Sequence, residues 1–109
     1  MFRATAKRLH CRITFFTRTP CPLCDNAKAV VQSVNAKRPL DYHQVNVMEP
    51  GQEKWKAVYE FDTPVIHIDR AEAASTSTSS LKLMHRFNEA DVMALMDKAE
   101  REAEDRTKS

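Results

Sequence analysis

A run rich in β-branched and aromatic side chains, Arg12-Ile13-Thr14-Phe15-Phe16, gives way after a short interval to Cys21-Pro22. That junction narrows the fold more than any other feature of the chain. The run reads as a strand, and Thr17 to Pro20 as a short loop. Pro22 fits the first position of a helix, where its missing N–H is one of the unpaired donors anyway and its φ is already helical. Leu23, Ala27, Val30, Val31 and Val34 then recur at helical spacing as far as Ala36. Lys37-Arg38-Pro39 ends the helix, because the residue before a proline avoids helical angles.

The remainder continues the alternation. Leu40 to Val47 reads as a second strand with Tyr42, Val45 and Val47 as its apolar residues, and Glu49-Pro50-Gly51 as a turn. Gln52 to Tyr59 is a short helix with Trp55, Val58 and Tyr59, and Val65 to Ile68 a third strand opened by Thr63-Pro64. Ala71 to Ser80 is small and polar, ends in a Ser/Thr run, and reads as a flexible loop. Leu81 to Phe87 forms a fourth strand. Asn88, with Asp91 three residues on, opens a last helix in the manner of a capping box. Val92, Leu95, Met96 and Ala99 form its apolar face. The order β-α-β-α-β-β-α predicts a four-stranded mixed sheet with helices on both faces. Residues 12–102 make one domain, preceded by a basic leader (1–11) and followed by a polar tail (103–109).

Bulk properties exclude several classes. The chain has 109 residues, enough for one modest core without disulfide staples. Its formal net charge is only +2, which argues against nucleic acid as the main partner. No stretch approaches the roughly 20 apolar residues that span a bilayer. Three cysteines, two of them close together, do not make a secreted disulfide framework. They suggest a reducing, cytoplasmic setting. No acid precedes Asp25, so Met1 to Cys11 has the composition of part of a mitochondrial presequence, the alternative location.

Cys21-Pro22-Leu23-Cys24 carries the chemistry. At a helix N-terminus, unpaired N–H groups and the positive end of the helix dipole stabilise a thiolate. Cys24 lies one turn on and on the same face. It is placed to attack a mixed disulfide formed at Cys21 and should be the more buried of the two. Arg18 adds positive charge if it folds back over the loop. A zinc site needs further ligands. The adjacent His10 and Cys11 would point to opposite faces of an extended segment, so no metal is expected. Thr63-Pro64 is the second element. A cis bond there would turn the backbone of Thr63 toward the cysteines, where a substrate could pair with it as an added strand.

Phe15-Phe16-Thr17-Arg18, Cys21-Pro22-Leu23-Cys24, Thr63-Pro64-Val65 and His85-Arg86-Phe87 together resemble the glutaredoxins. The likeness is closest to a glutaredoxin-like subgroup with a Cys-Pro/Gly-Leu-Cys-Asp site and a late His-Arg-Phe segment, and it covers roughly Ile13 to Lys98. The resemblance implies a thioredoxin fold, a cis Pro64, Cys21 as nucleophile and Cys24 as resolver, the two cycling through a disulfide. It also implies that Arg18, Pro22, Leu23, Thr63 and Pro64 line the substrate or glutathione site, with Arg18 meeting a glutathione carboxylate. The sequence departs from the family at Leu23, where glutaredoxins carry tyrosine or phenylalanine. It departs again at Phe87-Asn88-Glu89, where they carry a glycine pair. Side chains there are expected to crowd a glutathione site, Glu89 with a repelling charge.

The reading that takes these residues together is a monomeric dithiol oxidoreductase acting on protein disulfides or glutathione mixed disulfides. Glutathione, as co-substrate, or a thioredoxin-type reductase would be its reductant, and it would hold no tightly bound cofactor. Two other classes share the cysteine pair. One is a module bridging a [2Fe–2S] cluster through the first cysteine and glutathione thiols, against which Pro22 stiffens the loop. The other is a thioredoxin-fold adaptor with vestigial chemistry. Asp25 is expected to complement the helix N-terminus rather than act as a base. Cys11, before the first strand, is expected to be an idle or exposed thiol. His43, His67 and His85 are packing or surface residues, and Trp55 and Tyr59 lie in or near the core.

Overall fold

The structure, a computed structural model, describes residues 9–108, with side chains as far as Glu102. Of the leader assigned to residues 1–11, residues 1–8 lie outside the described residues, as do the side chains of the polar tail. Four strands, β1 (Cys11–Thr17), β2 (Asp41–Asn46), β3 (Val65–Arg70) and β4 (Leu81–Met84), form one sheet in the order β2-β1-β3-β4. Strand β1 runs parallel to β2 and antiparallel to β3, which is antiparallel to β4. Helices α1 (Pro22–Lys37), α2 (Glu53–Tyr59) and α3 (Glu89–Lys108) complete the expected β-α-β-α-β-β-α order. Helix α3 runs on through most of the segment read as a tail.

The period-2 alternation of strands sorts side chains onto two faces. Cys11, Ile13 and Phe15 of β1 and Ile66 and Ile68 of β3 face Val31 and Val34 of α1 and Val92 and Met96 of α3, all fully or nearly fully buried. The intervening Phe16, Val65 and His67 face α2, where Phe16 meets Trp55 and Tyr59 at ring-centroid distances of 4.7 and 5.1 Å. Helices therefore cover both faces.

Local chemistry sets the element ends. Arg38, before Pro39, is extended and returns its N–H to Val34 at 2.7 Å. Its guanidinium then ties the end of α1 to α3 through Asp97 at 2.8 Å and Glu100 at 2.5 Å. Asn88 and Asp91 exchange bonds at the start of α3: Asp91 N–H donates to Asn88 Oδ1 at 2.8 Å, and Asn88 N–H to Asp91 Oδ2 at 2.9 Å. That is a reciprocal cap. Asn88→Ala is expected to lower stability by about 1 kcal/mol in urea unfolding of the oxidised protein.

Three expectations need correction. Strand β4 stops at Met84, not Phe87, because His85 takes a φ of +65°, which a strand cannot hold. Cys11 does not precede the first strand but opens it, on the inward face, and is 1% exposed. The 71–80 loop holds no strand or helix but is fastened down. Thr76 Oγ1 sits 2.8 Å from His67 Nδ1, and Ser80 donates to Asp69 at 2.6 Å. A cavity of about 360 Å³ lies under this loop, between Leu81 and Ala99. It is at the far end of β3 from the cysteines. Among the described residues no helix is long and apolar enough to cross a membrane.

Candidate active site

The site forms where β1 ends and α1 begins. Cys21 is the N-cap of α1, with an extended backbone, and Pro22 follows inside the first turn. The Cys21 sulfur accepts the N–H of Cys24 at 3.2 Å, and the Cys21 carbonyl accepts the same donor at 3.0 Å. A helix N-terminal donor is thus aimed at the first sulfur, as a thiolate requires. Cys24 lies behind it, 4% exposed, against the core. The two sulfurs are joined in a disulfide, with Cα atoms 5.2 Å apart. Asp25 occupies the exposed first turn of α1, where a carboxylate complements the dipole.

The remaining candidate residues converge on this pair from distant segments. Thr63 Oγ1 lies 4.0 Å from Cys21 Sγ, and the Thr63–Pro64 bond is cis. Pro64 cannot donate to the ladder; its carbonyl accepts the N–H of His85 at 2.8 Å. Two grooves lie beside the first turns of α1, and the first of them borders the disulfide. One, of about 460 Å³, is bounded by Arg18, Pro22, Asp25, Lys28, Gln44 and Asn46. The other, of about 160 Å³, lies between Leu23, Ala27 and Val30 of α1 and the segment His85-Arg86-Phe87.

Two side chains take other partners than expected. Arg18 does not fold over Cys21: its Nη1 donates to the carbonyl of Glu60 at 2.8 Å. It thereby pins the turn before Thr63 to the loop before Cys21. Glu89 does not present a free charge to the site. It turns to α1, accepting from Ser33 at 2.9 Å and Lys37 at 2.7 Å, and these bonds hold its carboxyl below the usual range.

Cys11 takes no part. Its thiol is directed at Met96 O (3.6 Å) and Glu100 Oε2 (3.7 Å). Burial first, and then the Glu100 carboxylate, push its pKa up to about 12. It begins β1 whereas Cys21 follows its end, so roughly 20 Å of strand separates them. Among the described residues no group of three or more His, Cys, Asp and Glu side chains is placed to hold a metal ion.

Some lining residues escaped the reading of the sequence. Lys28 had a signal, since it stands four after Cys24 on the same helix face. Gln44 and Asn46 had none: they reach the site only because β2 pairs in parallel with β1, setting Asn46 opposite Thr17.

The comparisons with known proteins agree with this geometry. The family model described as Glutaredoxin-like domain (DUF836) matches residues 12–97. Among solved structures, the chain is similar to chloroplastic thioredoxin z at 19% identity and a TM-score of 0.65, over 88% of this chain and 83% of that one. It is similar to oxidized thioredoxin O2 from Arabidopsis thaliana at 13% identity and a TM-score of 0.58, over 82% and 74%. A thioredoxin from Thermus thermophilus matches at 17% identity and a TM-score of 0.58, over 82% and 72%. At these identities the likeness establishes the thioredoxin fold.

Proposed function

The chain belongs to the glutaredoxin-like domain family, and we propose that it is a dithiol oxidoreductase that reduces disulfides through Cys21 and Cys24. The observation that carries this reading is the asymmetry of the pair. Cys21 is only partly buried and its sulfur receives a helix N-terminal N–H, while Cys24 is buried directly behind it. In the reduced protein the Cys21 thiolate attacks one sulfur of the substrate disulfide, forming a mixed disulfide and expelling the first substrate thiolate, which takes up a proton. Cys24, once deprotonated, attacks Cys21 Sγ and releases the second thiolate. The protein, having given up two electrons, is left in the disulfide form described above. Two external thiols, as two molecules of glutathione or the dithiol of a reductase, restore the reduced pair and leave as a disulfide. The bonds of Glu89 to Lys37 and Ser33 hold its carboxylate in an ion pair on α1, which weakens the repulsion of glutathione expected from the sequence.

Alkylation of the reduced protein across pH tests the reading. One cysteine, Cys21, is expected to react with a midpoint well below the free-thiol value of about 8.5. Cys24 should be slow, and Cys11 silent throughout. A midpoint at the free-thiol value would leave a thioredoxin-fold protein without an activated nucleophile.

A further inference from the structure

The described residues leave four large apolar side chains exposed, and three of them, Met48, Val58 and Phe61, belong to the connection between β2 and β3. The topology makes their position informative. The end of β2 and the start of β3 both lie at the end of the sheet where β1 delivers the chain to Cys21. Phe61 is the extreme case, at 87% exposure. Its exposure does not come from a loose loop. On one side the Glu60 carbonyl accepts from Arg18 at 2.8 Å. On the other, Asp62 N–H donates to Tyr59 O at 2.9 Å, and the Asp62 carboxylate faces His85 at 3.6 Å. The backbone is tied on both sides, and the ring is held out into water.

Phe61 stands on the same turn that carries Thr63 to the reacting sulfur. Thr63, two residues on and so within about 7 Å along the chain, has its hydroxyl 4.0 Å from Cys21 Sγ. Phe61 lines neither groove beside the cysteines, so a contact with it would fall to residues that flank a substrate's cysteine, not to the disulfide itself. The chemistry of such a contact is apolar. The termini of glutathione, carboxylates and an ammonium, would gain nothing from it.

We infer that Phe61 is a specificity-determining residue, the docking point for a polypeptide disulfide that carries an apolar side chain next to its cysteine. The inference rests on the oxidoreductase reading and names its substrate class. Phe61 takes no part in the exchange: Cys21 forms the bond to substrate sulfur, Cys24 resolves it, and the two electrons come from the dithiol.

The test uses the full chain, reduced, in single turnover. Its probes are two symmetric peptide disulfides differing only in leucine or serine beside the cysteine, and bis(2-hydroxyethyl) disulfide. Release of peptide thiol is expected to be about fivefold to tenfold faster for the leucine peptide, a contact of ordinary apolar strength. Phe61→Ala should remove that preference, and Phe61→Leu should retain most of it. All three proteins should reduce the small disulfide equally. The inference is overturned if the native chain shows no preference, if it reduces the small disulfide but neither peptide, or if Phe61→Ala slows all three probes alike. Sedimentation of the oxidised protein checks the other occupant: self-association abolished by Phe61→Ala would assign the patch to a second copy. Failure of the native chain on every probe would instead remove the oxidoreductase reading beneath.

Discussion

Cys21→Ser is expected to abolish disulfide turnover, by about a thousandfold or more, whereas Cys24→Ser should keep the first attack and stop there. A hydroxyl is a poor nucleophile at neutral pH, and no general base in the site replaces the thiolate. The geometry separates the two variants. Cys21 stands at the N-cap, only partly buried, with a backbone N–H 3.2 Å from its sulfur, so it can meet a substrate sulfur. Cys24, 4% exposed, can reach only Cys21. Mass spectrometry after mixing the reduced variants with excess disulfide checks both halves. Cys24→Ser should accumulate one adduct, heavier by one substrate thiol less two hydrogens and mapping to Cys21. Cys21→Ser should accumulate none. An adduct at Cys24, or equal silence from both variants, would reverse or remove the assigned roles. Cys11 provides the internal control, because its buried thiol, with a pKa of about 12, stays protonated and unmodified.

What the sequence made legible was what local chemistry decides. Pro22 after Cys21 marked the start of α1, Pro39 its end, and Asn88 with Asp91 the start of α3, each through a backbone donor or angle confined to a few residues. The pairing of Cys21 with Cys24 was legible for the same reason, being one helical turn. Contacts between distant segments were not. Position in the sequence directs Arg18 toward the nearest sulfur, but it finds the Glu60 carbonyl, far along the chain. Glu89 was read as a free charge because nothing in its own segment shows that Ser33 and Lys37 stand beside it. The position of Cys11 was missed although a signal existed. It stands in phase with Ile13 and Phe15, and that alternation alone puts it on the inward face. His85 carried no signal: a non-glycine residue at positive φ leaves no compositional trace. The same distinction explains Phe61. An exposed aromatic looks like a core residue in a sequence, and only the turn that holds it outward shows otherwise.

The second large effect is a loss of stability in acid, and it originates in His67. This side chain is 0% exposed on the inner position of β3, with the rings of Phe16, Trp55 and Tyr59 at centroid distances of 4.7, 5.6 and 5.4 Å. Both ring nitrogens are occupied. Tyr59 Oη lies 2.5 Å from Nε2, and Thr76 Oγ1 lies 2.8 Å from Nδ1. The chain continues from Thr76 to Ser80 at 3.1 Å and ends on the Asp69 carboxylate at 2.6 Å. A carboxylate only accepts, so donation runs toward it: Tyr59 donates to Nε2, and Nδ1 carries the proton. A second proton on the ring would place two donors face to face between Nε2 and Tyr59, among aromatic walls. Burial accordingly pushes the pKa of His67 down to about 4, with Asp69 opposing the shift and Lys82 adding to it. Above about pH 6.5 the ring is neutral folded or unfolded, and the term contributes in full. As pH falls below that, the unfolded chain takes up a proton that the folded one refuses, so stability declines until about pH 4. At about 1.4 kcal/mol per unit the whole window is worth about 3.5 kcal/mol. Urea unfolding of the oxidised protein at pH 7.5 and pH 4.5, with His67→Phe measured alongside, isolates the term, since the surface carboxylates titrate alike in both. His67→Phe should start less stable at pH 7.5, where Tyr59 and Thr76 lose their partner, and then lose less on acidification than the native chain by about 2–3 kcal/mol. Parallel losses in the two proteins would show that His67 admits its proton in the folded state, and that the hydroxyl chain can turn to accommodate it.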